Sequence, residues 1–174
     1  MSFYELPHGG TSGKIADTSG SLLTLPTFVP NTNHQLIASS APFDNRTAYT
    51  FWRDLVFGQS ASLVVNLCND VSADEHDYWK ECLRYWPAEA NESQRLSIRD
   101  SAAITVTTLK VTKLFETLIE YKVKVTHQGS DGTERKRELT LIHFSGWPDL
   151  GVPESDEDIR GVSMLMSMLV TFYT

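Results

Sequence analysis

The sequence predicts an α/β (α+β) domain, a mixed sheet flanked by helices, and three observations carry that prediction. Leu63-Val64-Val65-Asn66-Leu67 is a short, β-branched, mostly apolar run of the kind buried on both faces of a central strand. Ile119, Tyr121, Val123 and Val125 alternate with Glu120, Lys122, Lys124 and Thr126, the period-two signature of a half-buried strand. Helical spacing of apolar residues comes after Asn45 and again after Ser155, so strands alternate with helices before three strands come in succession.

At 174 residues the chain is long enough for one domain with its own core and short for two. A net charge of −7 argues against nucleic acid or an anionic membrane surface as the main partner. The one basic cluster, Arg135-Lys136-Arg137, reads as a solvated loop. The first residues carry no basic run followed by an apolar stretch, so no secretory signal is expected. Residues 164–173, the longest apolar stretch, are interrupted by Ser167 and Thr171 and are too short for a membrane span. Cys68 and Cys82 lack the partners and spacing of a zinc site, and the expectation is reduced thiols in the cytoplasm or nucleus.

Residues 1–33 read as an irregular lead-in with one short strand. Gly9-Gly10-Thr11-Ser12-Gly13 and Thr18-Ser19-Gly20-Ser21 are loop chemistry, and Pro26 and Pro30 punctuate the remainder of that stretch. The patterned domain occupies 34–174. Asn45 is placed to cap a helix with the apolar face Ala48, Phe51, Trp52, Leu55 and Val56, which Gly58 would end. The buried strand at 63–67 leads into an acidic and aromatic connection, 70–87, containing Tyr78-Trp79 and Tyr85-Trp86-Pro87. Residues 103–112 are β-prone, and the alternating strand at 119–126 is turned by Gly129-Ser130-Asp131-Gly132 into a returning strand at 137–144. Ser155, three residues before Asp158, forms a capping pair, and Asp156 and Glu157 add negative charge to the first turn. Ile159, Val162, Leu165, Met166, Leu169 and Phe172 would be that helix's apolar face.

The most informative segment is His143-Phe144-Ser145-Gly146-Trp147-Pro148-Asp149-Leu150-Gly151-Val152-Pro153. A strand ends at Phe144, and the loop after it has a glycine on either side of Trp-Pro-Asp. Gly146 and Gly151 can absorb dihedral changes, Trp147 is an apolar anchor, and Pro148 stiffens the centre. These residues suit a movable flap carrying one carboxylate, but by local chemistry alone they read first as a surface turn with a solvated aspartate, since Pro-Asp is common turn chemistry.

The run 144–153 resembles the Trp-Pro-Asp loop of the classical protein-tyrosine phosphatases, including the Gly-Val-Pro after it. Phe51-Trp52-Arg53 with Val56 resembles that family's Phe-Trp-x-x-Val helix, and Cys82-Leu83-Arg84-Tyr85-Trp86-Pro87 its Cys-x-x-Tyr-Trp-Pro. Ile37-Ala38-Ser39-Ser40-Ala41-Pro42 is similar to its Ile-Ala-x-Gln-Ala-Pro strand and turn, with Ser40 in place of the glutamine. Ile104-Thr105-Val106 and Arg137-Glu138-Leu139-Thr140 fall between them in family order. The resemblance implies a highly twisted sheet, incomplete at its C-terminal side, and hydrolysis of phosphotyrosine in partner proteins through a cysteinyl-phosphate. It implies no metal and no organic cofactor. It carries the general-acid role onto Asp149, with Gly146, Trp147, Pro148 and Gly151 supporting loop closure. A tyrosine leaving group has a pKa of about 10, so protonating it lowers the barrier. Of the family's Lys-Asn-Arg-Tyr, Met1-Ser2-Phe3-Tyr4 keeps at most the tyrosine, which makes Tyr4 a candidate for setting the depth of a substrate pocket; an ordinary terminal aromatic is the alternative reading.

The family's nucleophile sits in His-Cys-x-x-Gly-x-x-Arg, where a helix N-terminus stabilises the thiolate and Arg binds the phosphoryl group. No such run occurs in this sequence: Asp74 stands six residues after Cys68, and Ala88 six after Cys82. Both cysteines therefore read as packed thiols. These residues support three expectations, led by a truncated phosphatase domain that keeps the acid and lacks the nucleophile. The second is an inactive pseudophosphatase binding phosphotyrosine proteins. The third is a carboxylate-pair hydrolase using Glu154, Asp156, Glu157 or Asp158, residues that a helix start explains better.

Overall fold

A computed structural model describes residues 2–6, 27–28, 35–68, 71–72, 82–98, 102–148 and 152–173. In chain order these residues form β1 (Ser2–Leu6), β2 (Thr27–Phe28), β3 (Gln35–Leu36), α1 (Asn45–Trp52) continued by a π-helical segment (Arg53–Gly58), β4 (Leu63–Asn66), β5 (Val71–Ser72) and β6 (Cys82–Leu83). Then come β7 (Ser93–Ile98), β8 (Ala102–Phe115), β9 (Leu118–Gln128), β10 (Glu134–Phe144) and α2 (Asp156–Tyr173). Eight strands make one sheet in the order β2-β3-β1-β4-β10-β9-β8-β7, while β5 and β6 pair separately. In the large sheet β4 and β10 are parallel, with Leu63 beside Thr140 and Asn66 beside His143. Their neighbours are antiparallel. The predicted mixed sheet with flanking helices is what forms.

Strand alternation divides the core in two. Leu139 and Leu141 of β10 join Tyr121, Val123 and Val125 of β9 beneath α1, with Phe51, Trp52, Tyr85 and Trp86. Ile142 and Phe144 face the other way, meeting Leu63, Val65 and Leu118 beneath α2. Trp52 and Trp86 are fully buried, and burying an aromatic of this size contributes roughly 1.5–3 kcal/mol. The Trp52 indole N–H donates to the Tyr85 carbonyl at 2.8 Å, so α1 is locked to the segment after β6 by a hydrogen bond as well as by ring contact.

Several local expectations need correction. Asp44, not Asn45, caps α1: its carboxylate accepts from Thr47 N at 2.6 Å while Thr47 Oγ1 accepts from Asp44 N at 3.0 Å, a capping box that leaves Asn45 as the first helical residue. Gly58 ends the helical segment as expected, and the left-handed residue lies two positions on, at Ser60 with φ 59°. Strand β7 has a mostly polar sequence and was not expected; its antiparallel partner β8 creates it. Arg135-Lys136-Arg137 lies in β10, paired with β9 along its length, because the hairpin extends further than the apolar alternation does. On α2, Leu165 is buried with Val162 and Leu169 packed beside it, but Ile159 and Met166 are exposed. The side chain of Phe172 lies outside the described residues, as do residues 73–81 of the acidic connection.

Candidate functional site

Parallel strands β4 and β10 end side by side, and crevices at the carboxyl ends of parallel strands are where α/β sheets place ligands. The Trp-Pro-Asp loop leaves β10 at this end. Phe144 is fully buried under α2, so the loop starts from a fixed point. Ser145 N donates to the Thr117 carbonyl at 2.8 Å, tying the loop base to the turn between β8 and β9.

The loop returns to the sheet at α2. The sequence-expected cap is present: Asp158 N donates to Ser155 Oγ at 3.0 Å, and Ser155 Oγ donates to the Asp158 carboxylate. That carboxylate packs directly against Gly146; a Cβ there would overlap Asp158 Oδ1 and lie 2.8 Å from the Phe144 ring. Gly146 is therefore required for space, since Gly132 is the only described glycine with a left-handed φ. The two ends of the loop thus close on each other through Gly146 and Asp158. Beside this junction is an open cavity of about 510 Å³ lined by Thr117, Ser145, Gly146, Pro148, Ser155 and Asp158, among others. Thr117 Oγ1 is buried there without a hydrogen-bond partner among the described residues. The sequence marks Asp158 as a capping residue and as one candidate acid of a carboxylate-pair hydrolase; its packing on Gly146 leaves no signal in the sequence.

On the other face of the same strand end, polar groups hold the backbone after β4. His143 Nε2 donates to the Cys68 carbonyl at 3.0 Å, and Cys68 N donates to Asn66 Oδ1 at 2.9 Å. Asn66 Nδ2 donates in turn to Tyr85 Oη at 3.2 Å. Burial lowers the pKa of His143, the bond to Cys68 opposes that shift, and Arg84 adds to it. The Trp86 ring meets His143 edge to face at 5.4 Å. The Cys68 thiol is buried in the α1-side core, where it packs and cannot meet a substrate.

Of the residues singled out in the sequence, Gly146, Trp147 and Pro148 are placed in this loop, with Trp147 partly exposed. Asp149 and Gly151 lie outside the described residues. Tyr4 pairs with Val64 in the register of β1 on β4, and its side chain lies outside the described residues, as does that of Cys82. Among the described residues no group of three or more His, Cys, Asp or Glu is placed to hold a metal ion, and no helix is long and apolar enough to cross a membrane.

The family model described as protein-tyrosine phosphatase matches residues 26–169. Human receptor-type tyrosine-protein phosphatase zeta is 30% identical over 118 residues, covering 68% of this chain and 5% of that protein. Mouse receptor-type tyrosine-protein phosphatase C is 33% identical over 118 residues, 68% of this chain and 8% of the relative. The solved catalytic domain of human protein tyrosine phosphatase non-receptor type 18 superposes with a TM-score of 0.53 at 26% identity, covering 75% of this chain and 40% of that one. The same phosphatase has also been solved in complex with HER2-pY1248 phosphopeptides, with the same TM-score and identity and 42% of that chain covered. The chain thus spans less than a tenth of the two receptor-type relatives and about two fifths of the solved phosphatase chains.

Proposed function

Because the chain belongs to the protein-tyrosine phosphatase family, we propose that it supplies the general-acid loop of a domain that hydrolyses phosphotyrosine in proteins. The observation that carries this reading is the loop after β10, fixed at Phe144 and Ser145 and closed at its base by Gly146 against Asp158. A loop with anchored ends and a glycine on either side of its centre can bring one carboxyl group onto a leaving oxygen and withdraw it again.

In the complete reaction a cysteine thiolate attacks phosphorus, the bond from phosphorus to the tyrosine oxygen breaks, and Asp149 gives its proton to that oxygen. Water then cleaves the cysteinyl phosphate, releasing phosphate and restoring the thiol. The nucleophile is not among these 174 residues, because neither Cys68 nor Cys82 is followed by arginine at the sixth position. The reading therefore assigns this segment the acid and the loop, and leaves the thiolate and phosphate cradle to residues beyond it. Phosphotyrosine-bearing proteins are the substrate class.

The test is a chimera in which residues 26–169 replace the matched stretch of the human non-receptor type 18 catalytic domain. Asp149→Asn is expected to lower kcat on a phosphotyrosyl peptide about 10²–10⁴-fold, and to do so much less on an aryl phosphate with an acidic leaving group. Equal kcat with and without the substitution would remove Asp149 from the mechanism. The 174-residue chain alone is expected to show no turnover. Saturable phosphopeptide binding by it without turnover would favour the pseudophosphatase reading instead.

A further inference from the structure

The far end of β10, nine residues from Phe144, carries the basic cluster, and strand geometry puts it about 30 Å away from the loop. Arg135 and Arg137 are on the α1 face of the strand, in line with Leu139 and Leu141, while Lys136 is on the other face and bonds Glu134 at 2.7 Å. Among the described residues neither arginine is paired with a carboxylate. Both are nevertheless held in place. The Arg135 guanidinium stacks over Phe57 at 4.9 Å and approaches His127 Nδ1 at 3.4 Å, and Arg137 donates to Ser60 Oγ at 3.3 Å.

His127 explains the orientation of Arg135. Arginine only donates, so Nδ1 must accept, which leaves the Nε2–H to donate to Tyr49 Oη at 3.3 Å. Burial, then the charges of Arg135 and Arg53, lower the pKa of this imidazole against a smaller opposing pull from Asp131, so positive charge outweighs negative around it. Among the described residues, the β10 backbone beside Arg135 and Lys136 has no partner strand on its β4 side. Thr140 N donates to Ser62 O on the β4 side, so the alternate residues Lys136 and Glu138 direct their N–H and C=O groups to the same side. Pairing with β4 begins only at Thr140, and among the described residues no strand covers that edge over 134–139.

We propose that this edge of β10 docks an extended acidic peptide segment of a partner protein, which adds as a strand and sets alternate carboxylates against Arg135 and Arg137. Residues two apart on a strand are about 6.6 Å apart, the spacing of same-face side chains on an added strand. Charged edge residues also discourage strand pairing. Here the charge that repels a basic strand, and that a neutral strand would leave unpaired, attracts an acidic one, which makes the edge selective. The chain's net charge of −7 disfavours long polyanions approaching from solution and leaves a short local segment as the fitting occupant.

The test is fluorescence anisotropy of the 174-residue chain with a labelled decapeptide alternating glutamate and valine, and with the same peptide carrying lysine for glutamate. Saturable binding of the acidic peptide alone is expected, weakening as salt is raised. Arg135→Glu with Arg137→Glu should weaken it about tenfold or more, and Lys136→Glu, on the other face, less than about threefold. Circular dichroism melts check that the variants fold; if the double glutamate variant does not, Arg135→Gln with Arg137→Gln is read in its place. The proposal is overturned by no saturable binding of the acidic peptide, by equal binding of the lysine peptide or of an oligodeoxythymidylate, or by an equal loss in Lys136→Glu.

Discussion

His143 is buried, burial favours the neutral form of its ring, and that preference links the stability of the strand end to pH. Its folded pKa is lowered by burial, so the unfolded chain takes up a proton at a pH where the folded chain does not. The stability it contributes is complete above the unfolded value, near about 6.5, and is lost as pH falls through the folded value. The melting temperature should drop between about pH 7 and pH 5, and His143→Gln should flatten that slope. The shift of His127 has the same sign and will leave part of the slope in place. An unchanged slope in the variant would show that His143 does not carry the effect. The sequence placed His143 at the start of the loop segment but could not show that it pins Cys68, because that contact joins residues 75 positions apart.

At the level of elements, the decisive contact is between β10 and α2. A Cβ on Gly161 would lie 2.7 Å from the Phe144 ring, so the helix sits close to the strand only because this position has no side chain. Gly161→Ala gains helix propensity yet should destabilise by about 1–3 kcal/mol through overpacking, measured by urea unfolding. Combining it with Phe144→Leu should recover part of the loss; stabilisation by Gly161→Ala alone would contradict the packing. Periodicity marked α2 as a helix and Ser155 as its cap. The rotation of α2 was not legible, because Gly161, which sets it, reads in sequence only as a weak helix former. Strand β7 was missed for a related reason, since a polar strand is created by its neighbour.

For the whole molecule, the unequal cover on the two sheet faces is the main feature. The α1 side is sealed by Phe51, Trp52, Tyr85 and Trp86, all essentially buried. On the α2 side Ile159, Met166 and Val170 are 49%, 56% and 58% exposed and lie along one stripe of the helix. Met166→Glu with Val170→Glu should therefore cost less than about 0.5 kcal/mol and reduce binding of an apolar fluorescent dye. Leu165→Glu, which buries a charge, should unfold the chain. Unfolding by the double substitution would mean that the stripe is already covered.

The sequence by itself determined the mixed sheet, the two amphipathic helices, the ordered motifs of the protein-tyrosine phosphatase family and the absence of a Cys-x-x-Gly-x-x-Arg run. Those features are periodic or contiguous, so they can be read along the chain. Only the tertiary structure decided that Gly146 packs on Asp158, that Gly161 seats α2 on Phe144, and that Arg135 and Arg137 stand on a strand edge that no described strand covers. Each depends on segments distant in sequence meeting within a few ångströms, and hydrophobic pattern sets which face turns inward without fixing which atoms touch there.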